Sequence, residues 1–558
     1  MAREMSELHL SGISASAGMA AGTLVQLDTG RLEFAALDAH AAGDSAHQRQ
    51  RLRQAVDQAR AAIAELTAAL NAGLEPVAAD IMEFQLALLE DADFLGPAFA
   101  AIDSGAAAEA AWCAMVDAEI AGYAAADDPA MAAKADDLAD IRARVLGALC
   151  GKPRAKPALP EGDLIYAASR MTPSEFLACD PASVKAVAIS GGSPGSHVAI
   201  LARARGMPML VNCGRKLLDA PSGACALLDA VEARIIVHPK ASHRAEFRRR
   251  FERYRNQRKQ LNRRVNESAF TADGERVAVY ANVDDPSLLA GVDVAPFDGV
   301  GLARTEFLFR GDAPPDEDAQ LAAYCAIIDW ADGRPVTIRT LDAGGDKLVG
   351  GIAAIDESNP FLGLRGCRLY ESHRELFDTQ LRALARAAAT APGRLKVMIP
   401  MVTRPAEMAA FRARFAAVVD DLKSSGVACA LPALGMMVET PAAALEAASF
   451  DADFYSVGSN DLIQYTMAAA RDDPRVARLL DPRASAVLKL IEMTVAAARA
   501  RDVELSVCGD MASDPNLASL LLEAGVRKLS VAIAGAAAVK HAVRQWSASV
   551  NQPKACAS

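Results

Sequence analysis

The chain has 558 residues, 52% of them hydrophobic but only 5% aromatic, and a formal net charge of −11. That length calls for roughly three or four domains, and the acidic balance excludes a general nucleic-acid binder. The ten cysteines are scattered, with no C-x-x-C pair, which excludes a disulfide framework or cysteine zinc site and fits a reducing cytosol.

In chain order, residues 8 to 28 alternate apolar and small residues with glycines (Leu10, Ile13, Gly18, Gly22, Leu24, Val25) and predict two short strands with a turn. From about Asp44 to Leu149 the pattern becomes helical and alanine-rich. Leu52, Val56, Ala59, Ile63 and Leu66 recur at helical spacing, and further helices are expected over Val77 to Leu89, Ala107 to Ala124 and Ala132 to Leu149. This block reads as an inserted helical bundle, either a spacer or a docking surface for another protein. Lys152 to Pro157 is a linker. β/α patterning resumes at Leu164 to Ala167, and Thr172-Pro173-Ser174-Glu175 opens a helix.

The next stretch is Gly191-Gly192-Ser193-Pro194-Gly195-Ser196-His197, a glycine-rich loop between the apolar run Ala186 to Ile189 and a helix-like run, Val198 to Ala204. Unpaired N–H groups at a helix start attract an anion. A neutral imidazole there is a nucleophile suited to carrying a phosphoryl group. The plain alternative is a capping loop with an exposed histidine. From His243 to about Val265 the chain is strongly basic without proline or glycine, which reads as a solvated connecting helix. Eight strand candidates then alternate with helical segments: Val277 to Asn282, Gly299 to Ala303, Val336 to Leu341, Leu395 to Met401, Leu434 to Val438, Phe454 to Gly458, Glu504 to Cys508 and Lys528 to Val531. That rhythm predicts a (β/α)8 TIM barrel, whose active site lies at the C-terminal strand ends.

Those ends carry Arg304, Arg339, Lys347 just beyond the third strand, Glu439, Asn460, Asp461, Arg471 shortly after the sixth, and Cys508. Each charged one alone reads as a structural ion pair. Together they predict a mouth for a small, doubly anionic phosphorylated acid, with arginine forks for phosphate oxygens and two carboxylates for Mg2+. Cys508 reads either as a small buried residue or as a proton donor to an enolate.

Four segments, Gly301-Leu302-Ala303-Arg304-Thr305-Glu306-Phe307-Leu308-Phe309, Asn359-Pro360-Phe361-Leu362-Gly363-Leu364-Arg365, Val438-Glu439-Thr440-Pro441-Ala442-Ala443 and Gly458 to Thr466, give the chain its resemblance to enzyme I of the phosphoenolpyruvate-dependent sugar phosphotransferase system. The resemblance covers nearly the whole chain. It implies a swivelling phosphohistidine β/α domain over residues 1–30 and 152–240, an inserted helical bundle over 31–151 that docks the phosphocarrier protein HPr, a connecting helix over 241–268, and a phosphoenolpyruvate-binding, dimer-forming barrel over 269–558. It further implies phosphoryl transfer from phosphoenolpyruvate to His197 and on to HPr, a Mg2+ requirement and a homodimer. Carried over by residue, Thr172 would hydrogen-bond His197. Arg304, Arg339 and Arg471 would hold phosphate, with Lys347 and Arg365 supporting. Glu439 and Asp461 would bind Mg2+ with Asn460 nearby, and Cys508 would protonate the enolate carbon.

The sequence departs from the family pattern at Gly195, where threonine is usual in a loop one residue shorter, and at Asp510, Ala17 and Ala532. A catalytically silent or divergent regulatory paralogue is therefore the alternative reading, although His197, Glu439 and Asp461 are all retained. Pyruvate phosphate dikinase and phosphoenolpyruvate synthase share the histidine domain and barrel but need an ATP-binding domain, which nothing here resembles. No signal-peptide core and no bilayer-length apolar run is visible, so the expectation is a cytoplasmic protein without membrane insertion.

Overall fold

The computed structural model describes residues 7–27, 44–72, 76–124, 129–151, 162–309, 313–344, 359–471 and 476–548. The chain divides into two compact units, Met1–Asn256 and Gln257–Ser558. Lys347 and the linker Lys152 to Pro157 lie outside the described residues.

The first unit contains strands β1 (Leu8–Ser11), β2 (Ile13–Ser16), β3 (Met19–Gln26), β4 (Leu164–Ala168), β5 (Val184–Ile189), β6 (Met209–Val211), β7 (Cys225–Asp229) and β8 (Arg234–Val237). They form one sheet in the order β1-β8-β7-β3-β4-β5-β6-β2. The expected two strands over residues 8 to 28 are three. Gly12 separates β1 from β2, which pair at opposite edges of the sheet. One residue can join two edges only if the sheet is rolled until they nearly meet. Gly18 lies in the turn between β2 and β3 with φ of +154°, and a Cβ there would lie 2.6 Å from Pro208 Cγ, so a side chain would force the turn open.

Between β3 and β4 the chain forms α1 (Ser45–Ala72), α2 (Pro76–Glu90), α3 (Ala92–Asp103), α4 (Ala108–Ala124) and α5 (Pro129–Leu149). Leu52, Val56, Ala59 and Ile63 are buried as their spacing predicts. Helix α3 goes beyond the sequence reading, because Gly96-Pro97 looks like a break. The structure keeps it helical: Asp91 caps it by accepting from Asp93 N–H at 2.8 Å, Ala98 and Ile102 are buried, and Phe94 packs edge-on to buried Trp112 at 6.4 Å. Burial of that face outweighs the hydrogen bond that Pro97 cannot donate. Two short helices follow, α6 (Pro173–Leu177) and α7 (His197–Ala204), then α8 (Ala241–Arg263), the expected basic helix. Phe247 on α8 is buried with Met19, Leu227 and Ile236, and Arg250 pairs with Asp229 at 3.0 Å.

The second unit holds β9 (Ala269–Phe270) and eight parallel strands: β10 (Arg276–Val283), β11 (Val300–Ala303), β12 (Val336–Arg339), β13 (Leu395–Ile399), β14 (Ala433–Val438), β15 (Phe454–Gly458), β16 (Glu504–Cys508) and β17 (Lys528–Ala532). Each pairs with the next, and β17 and β11 both pair with β10, closing the barrel. All eight expected strands are present. The antiparallel β9 on β10 is new, since two residues carry no readable period. Among the described residues no helix is long and apolar enough to cross a membrane.

Candidate active site

His197 is the first residue of α7, and Ser196 caps that helix by accepting from Ala199 N–H at 3.3 Å. Arg203 donates to Ala15 O at 2.8 Å and Pro194 O at 2.9 Å, tying the glycine loop to the sheet. The imidazole is 27% exposed, and its Nδ1 lies 2.7 Å from Oδ2 of Asp137, a fully buried carboxylate on α5. A carboxylate only accepts, so Nδ1 is the donor in this contact, and in the neutral ring the lone pair then lies on Nε2. The same face of α5 carries Asp140, one helical turn on. Its carboxylate accepts from Gln85, Thr172, Ser174 Oγ and Ser174 N–H. The Thr172 hydroxyl, which the resemblance pairs with His197, donates to Asp140 at 3.1 Å and caps α6 in a reciprocal box with Glu175.

Asp136, beside Asp137, is 18% exposed and 3.7 Å from Arg170. Burial pushes its carboxyl up to about 6 from the ordinary 3.8. The folded state therefore holds more protons than the unfolded state between those values, so stability falls as pH rises through that window and is level above it. Asp136→Asn removes the penalty. It should gain about 1–2 kcal/mol at pH 7, net of the lost Arg170 pair, and almost nothing at about pH 4. Urea unfolding at both pH values checks this, and an equal change at both would contradict it.

In the second unit, the strand ends gather a buried charge network. Arg365, 1% exposed, donates to Asp342 at 2.9 and 2.9 Å and to Asp461 at 2.8 and 3.1 Å. Arg339, at the end of β12, pairs with Glu306 and lies 3.1 Å from Asp342. Glu439, following β14, is fully buried, and its Oε1 accepts from Met401 N–H at 2.6 Å. Its Oε2 is buried without a hydrogen-bond partner among the described residues. Burial, and then the charge of Asp461, push the Glu439 carboxyl up to about 8. Burial alone would also raise Asp461, but hydrogen bonds and charge from Arg365 outweigh it and hold that carboxyl below its ordinary value. An orphaned buried carboxylate oxygen beside an ionised aspartate calls for a proton or a hard cation, and all-oxygen donors fit Mg2+.

Around this network, Arg304 is 38% exposed and donates to Asp284 at 2.6 Å. Arg471 is 30% exposed, 3.8 Å from Asp461, with its guanidinium 5.6 Å over Phe361. Asn460 accepts from Asp510 N–H at 2.9 Å. Gly509 has φ of +91°, and a Cβ there would meet Ser459 Oγ at 2.4 Å and Asn460 Oδ1 at 2.6 Å, so only glycine lets the loop after β16 pass beside Asn460. Cys508 is buried among Leu302, Met398, Met437 and Phe454. Its Sγ lies 3.5 Å from Val457 O, and burial raises the thiol, keeping it protonated.

The barrel thus gathers Arg339, Arg365, Glu439 and Asp461 into one network, with Arg304, Asn460, Arg471 and Cys508 also on its strand ends and the loops after them. His197 and Thr172 belong to the other unit. Sequence reasoning missed Asp137, Asp140, Asp342 and Glu306 as partners. The one available signal was the spacing of Asp137 and Asp140 among Ala135, Leu138 and Ile141, which puts both on an apolar face.

Three family models match the chain: the PEP-utilising enzyme N-terminal domain over residues 11–134, its mobile domain over 159–232 and its PEP-binding domain over 258–548. A phosphoenolpyruvate-protein phosphotransferase of Haloferax volcanii is 41% identical over 74% of this chain and 73% of its own length. One of Bacillus sp. (strain S) is 34% identical over 95% of this chain and 92% of its own. A multiphosphoryl transfer protein of Rhodobacter capsulatus is 37% identical over 86% of this chain, which spans 57% of that longer protein.

Proposed function

The chain belongs to the phosphoenolpyruvate-protein phosphotransferase family, and from that premise we propose that it moves the phosphoryl group of phosphoenolpyruvate onto Nε2 of His197 and then to a histidine of HPr, releasing pyruvate in the first step of a sugar phosphotransferase system. The observation that carries this reading is the 2.7 Å contact between His197 Nδ1 and Asp137, which leaves Nε2 as the nucleophile.

In this reading, Arg304 and Arg471, the two partly exposed guanidiniums, engage the phosphate, Arg339 adds its charge, and Lys347 supports them. Glu439 and Asp461 hold Mg2+, with Asn460 beside them and Arg365 fixing Asp461. The bound ion supplies positive charge that offsets the phosphate and the departing enolate oxygen. Nε2 forms a bond to phosphorus as the phosphorus–oxygen bond to the enolate breaks, and Cys508 gives its proton to the enolate carbon to form pyruvate. Thr172 stays a candidate partner of the phosphorylated imidazole. The unit carrying His197 swivels on α8, the helical bundle docks HPr and the barrels pair as a homodimer.

The test is a coupled assay with phosphoenolpyruvate, Mg2+ and HPr, reading pyruvate by lactate dehydrogenase and phospho-HPr by native gel. One pyruvate per phospho-HPr is expected, and chelation of Mg2+ should stop both. A folded protein that yields neither refutes the reading. Asp137 acts here as a positioning residue. Asp137→Asn should slow autophosphorylation about a hundredfold, with KM for phosphoenolpyruvate unchanged and a shifted pH–rate profile. Rapid-quench kinetics across pH check this, and an unaltered profile would remove Asp137 from the mechanism.

A further inference from the structure

A second set of metal-binding groups lies in the first unit and shares no residue with the His197 site. Glu7 leads into β1, His9 lies within β1, and His243 lies in the first turn of α8. Glu7 Oε1 is 2.7 Å from His243 Nδ1 and also accepts from Lys240 N–H at 2.8 Å. Glu7 Oε2 is 3.4 Å from His9 Nε2. The two imidazoles meet edge-on with centroids 5.1 Å apart. One ligand atom from each of the three residues lies within 4.8 Å of the others.

We propose that Glu7, His9 and His243 bind a divalent transition-metal cation of the Zn2+ type. Tetrahedral zinc with bonds of about 2.0–2.1 Å spaces its ligands roughly 3.4 Å apart, so the observed separations bracket the required geometry. His9 is 52% exposed and His243 35% exposed, leaving both rings free to make the small adjustment, whereas Glu7 is 6% exposed and anchored. Two nitrogen donors select Zn2+, Ni2+ or Co2+ over Mg2+. Three protein ligands leave a fourth position for water, and His9 and His243 line a cavity of about 80 Å³ with Asp229 and Arg234, room enough for it. Bound metal would fasten β1 to the first turn of α8.

The full chain, freed of metal with EDTA and kept in excess Mg2+ to fill oxygen-donor sites, is titrated with ZnCl2 by calorimetry. One Zn2+ per chain is expected, weakened at least about tenfold in His9→Ala and in His243→Ala and unchanged in His541→Ala. Zinc-edge absorption should show an imidazole shell that shrinks in the first two variants. His9→Ala alters a half-exposed side chain, so folding is preserved and the comparison stands. Equal affinity in all four proteins, or no zinc uptake, overturns the proposal and leaves the cluster a hydrogen-bonded clasp.

Discussion

Incubated with phosphoenolpyruvate and Mg2+, the wild-type chain is expected to gain one acid-labile phosphoryl group by intact mass, and His197→Ala none. The loss should be total within detection, because removing the nucleophile of a group-transfer enzyme reduces turnover by factors on the order of 10⁶. His197 begins a helix on the surface of its unit, with Nδ1 on Asp137, so truncation creates no large cavity, although it leaves the buried Asp137 without that donor. Folding is checked separately by circular dichroism. His197→Gln serves as a second variant: its amide can still donate to Asp137 but offers no nucleophilic nitrogen. Phosphate gained equally by both variants would place the acceptor on another residue and end the reading given to this loop.

Removing the Arg365 guanidinium should produce the largest loss of stability. Arg365→Met keeps much of the volume but takes the fork away from Asp342 and Asp461, leaving fully buried Asp342 with Arg339 at 3.1 Å and Asp461 with Arg471 at 3.8 Å. Breaking a buried pair by deleting one partner costs about 3–5 kcal/mol, since the surviving charge is out of water. Two carboxylates share this one guanidinium, but each keeps a second arginine nearby, so the lower end applies. Arg365→Lys keeps the charge but loses the bidentate fork, and should cost about 1–3 kcal/mol. Trp330 and Trp546 lie in the barrel unit and Trp112 in the other, so urea unfolding in a Trp112→Phe background reports the barrel alone. A barrel transition unmoved in Arg365→Met would mean the network contributes nothing net to stability.

These two expectations differ in how far the sequence alone reached them. His197 was legible as a candidate because a glycine loop before a helix is a local pattern and motifs elsewhere in the chain singled it out, whereas its partner Asp137 lies 60 residues away. The strand-end charges were legible because barrel topology converts a position in the chain into a position in space. Arg365 was legible only as a charged residue in a motif, expected to support the arginines that hold phosphate. In the structure its Nε and both Nη atoms are engaged by Asp342 and Asp461, so it organises the carboxylates.

Period and punctuation in the sequence thus determined the eight barrel strands, the inserted helical bundle, the basic helix α8 and the histidine loop, because each depends on residues close in the chain. Tertiary structure decided the rest. It turned the first segment into three strands, two of them at the edges of a rolled sheet, kept α3 helical through Pro97, paired Asp137 with His197 across 60 residues and Arg365 with Asp461 across 96, and left Glu439 with an oxygen buried without a hydrogen-bond partner among the described residues. A charge in the sequence carries no mark of whether water or a distant partner will solvate it. Only the packed fold sets that environment, and the environment determines whether a carboxylate is a solvated surface group, a buried ion-pair partner or the partner of a histidine.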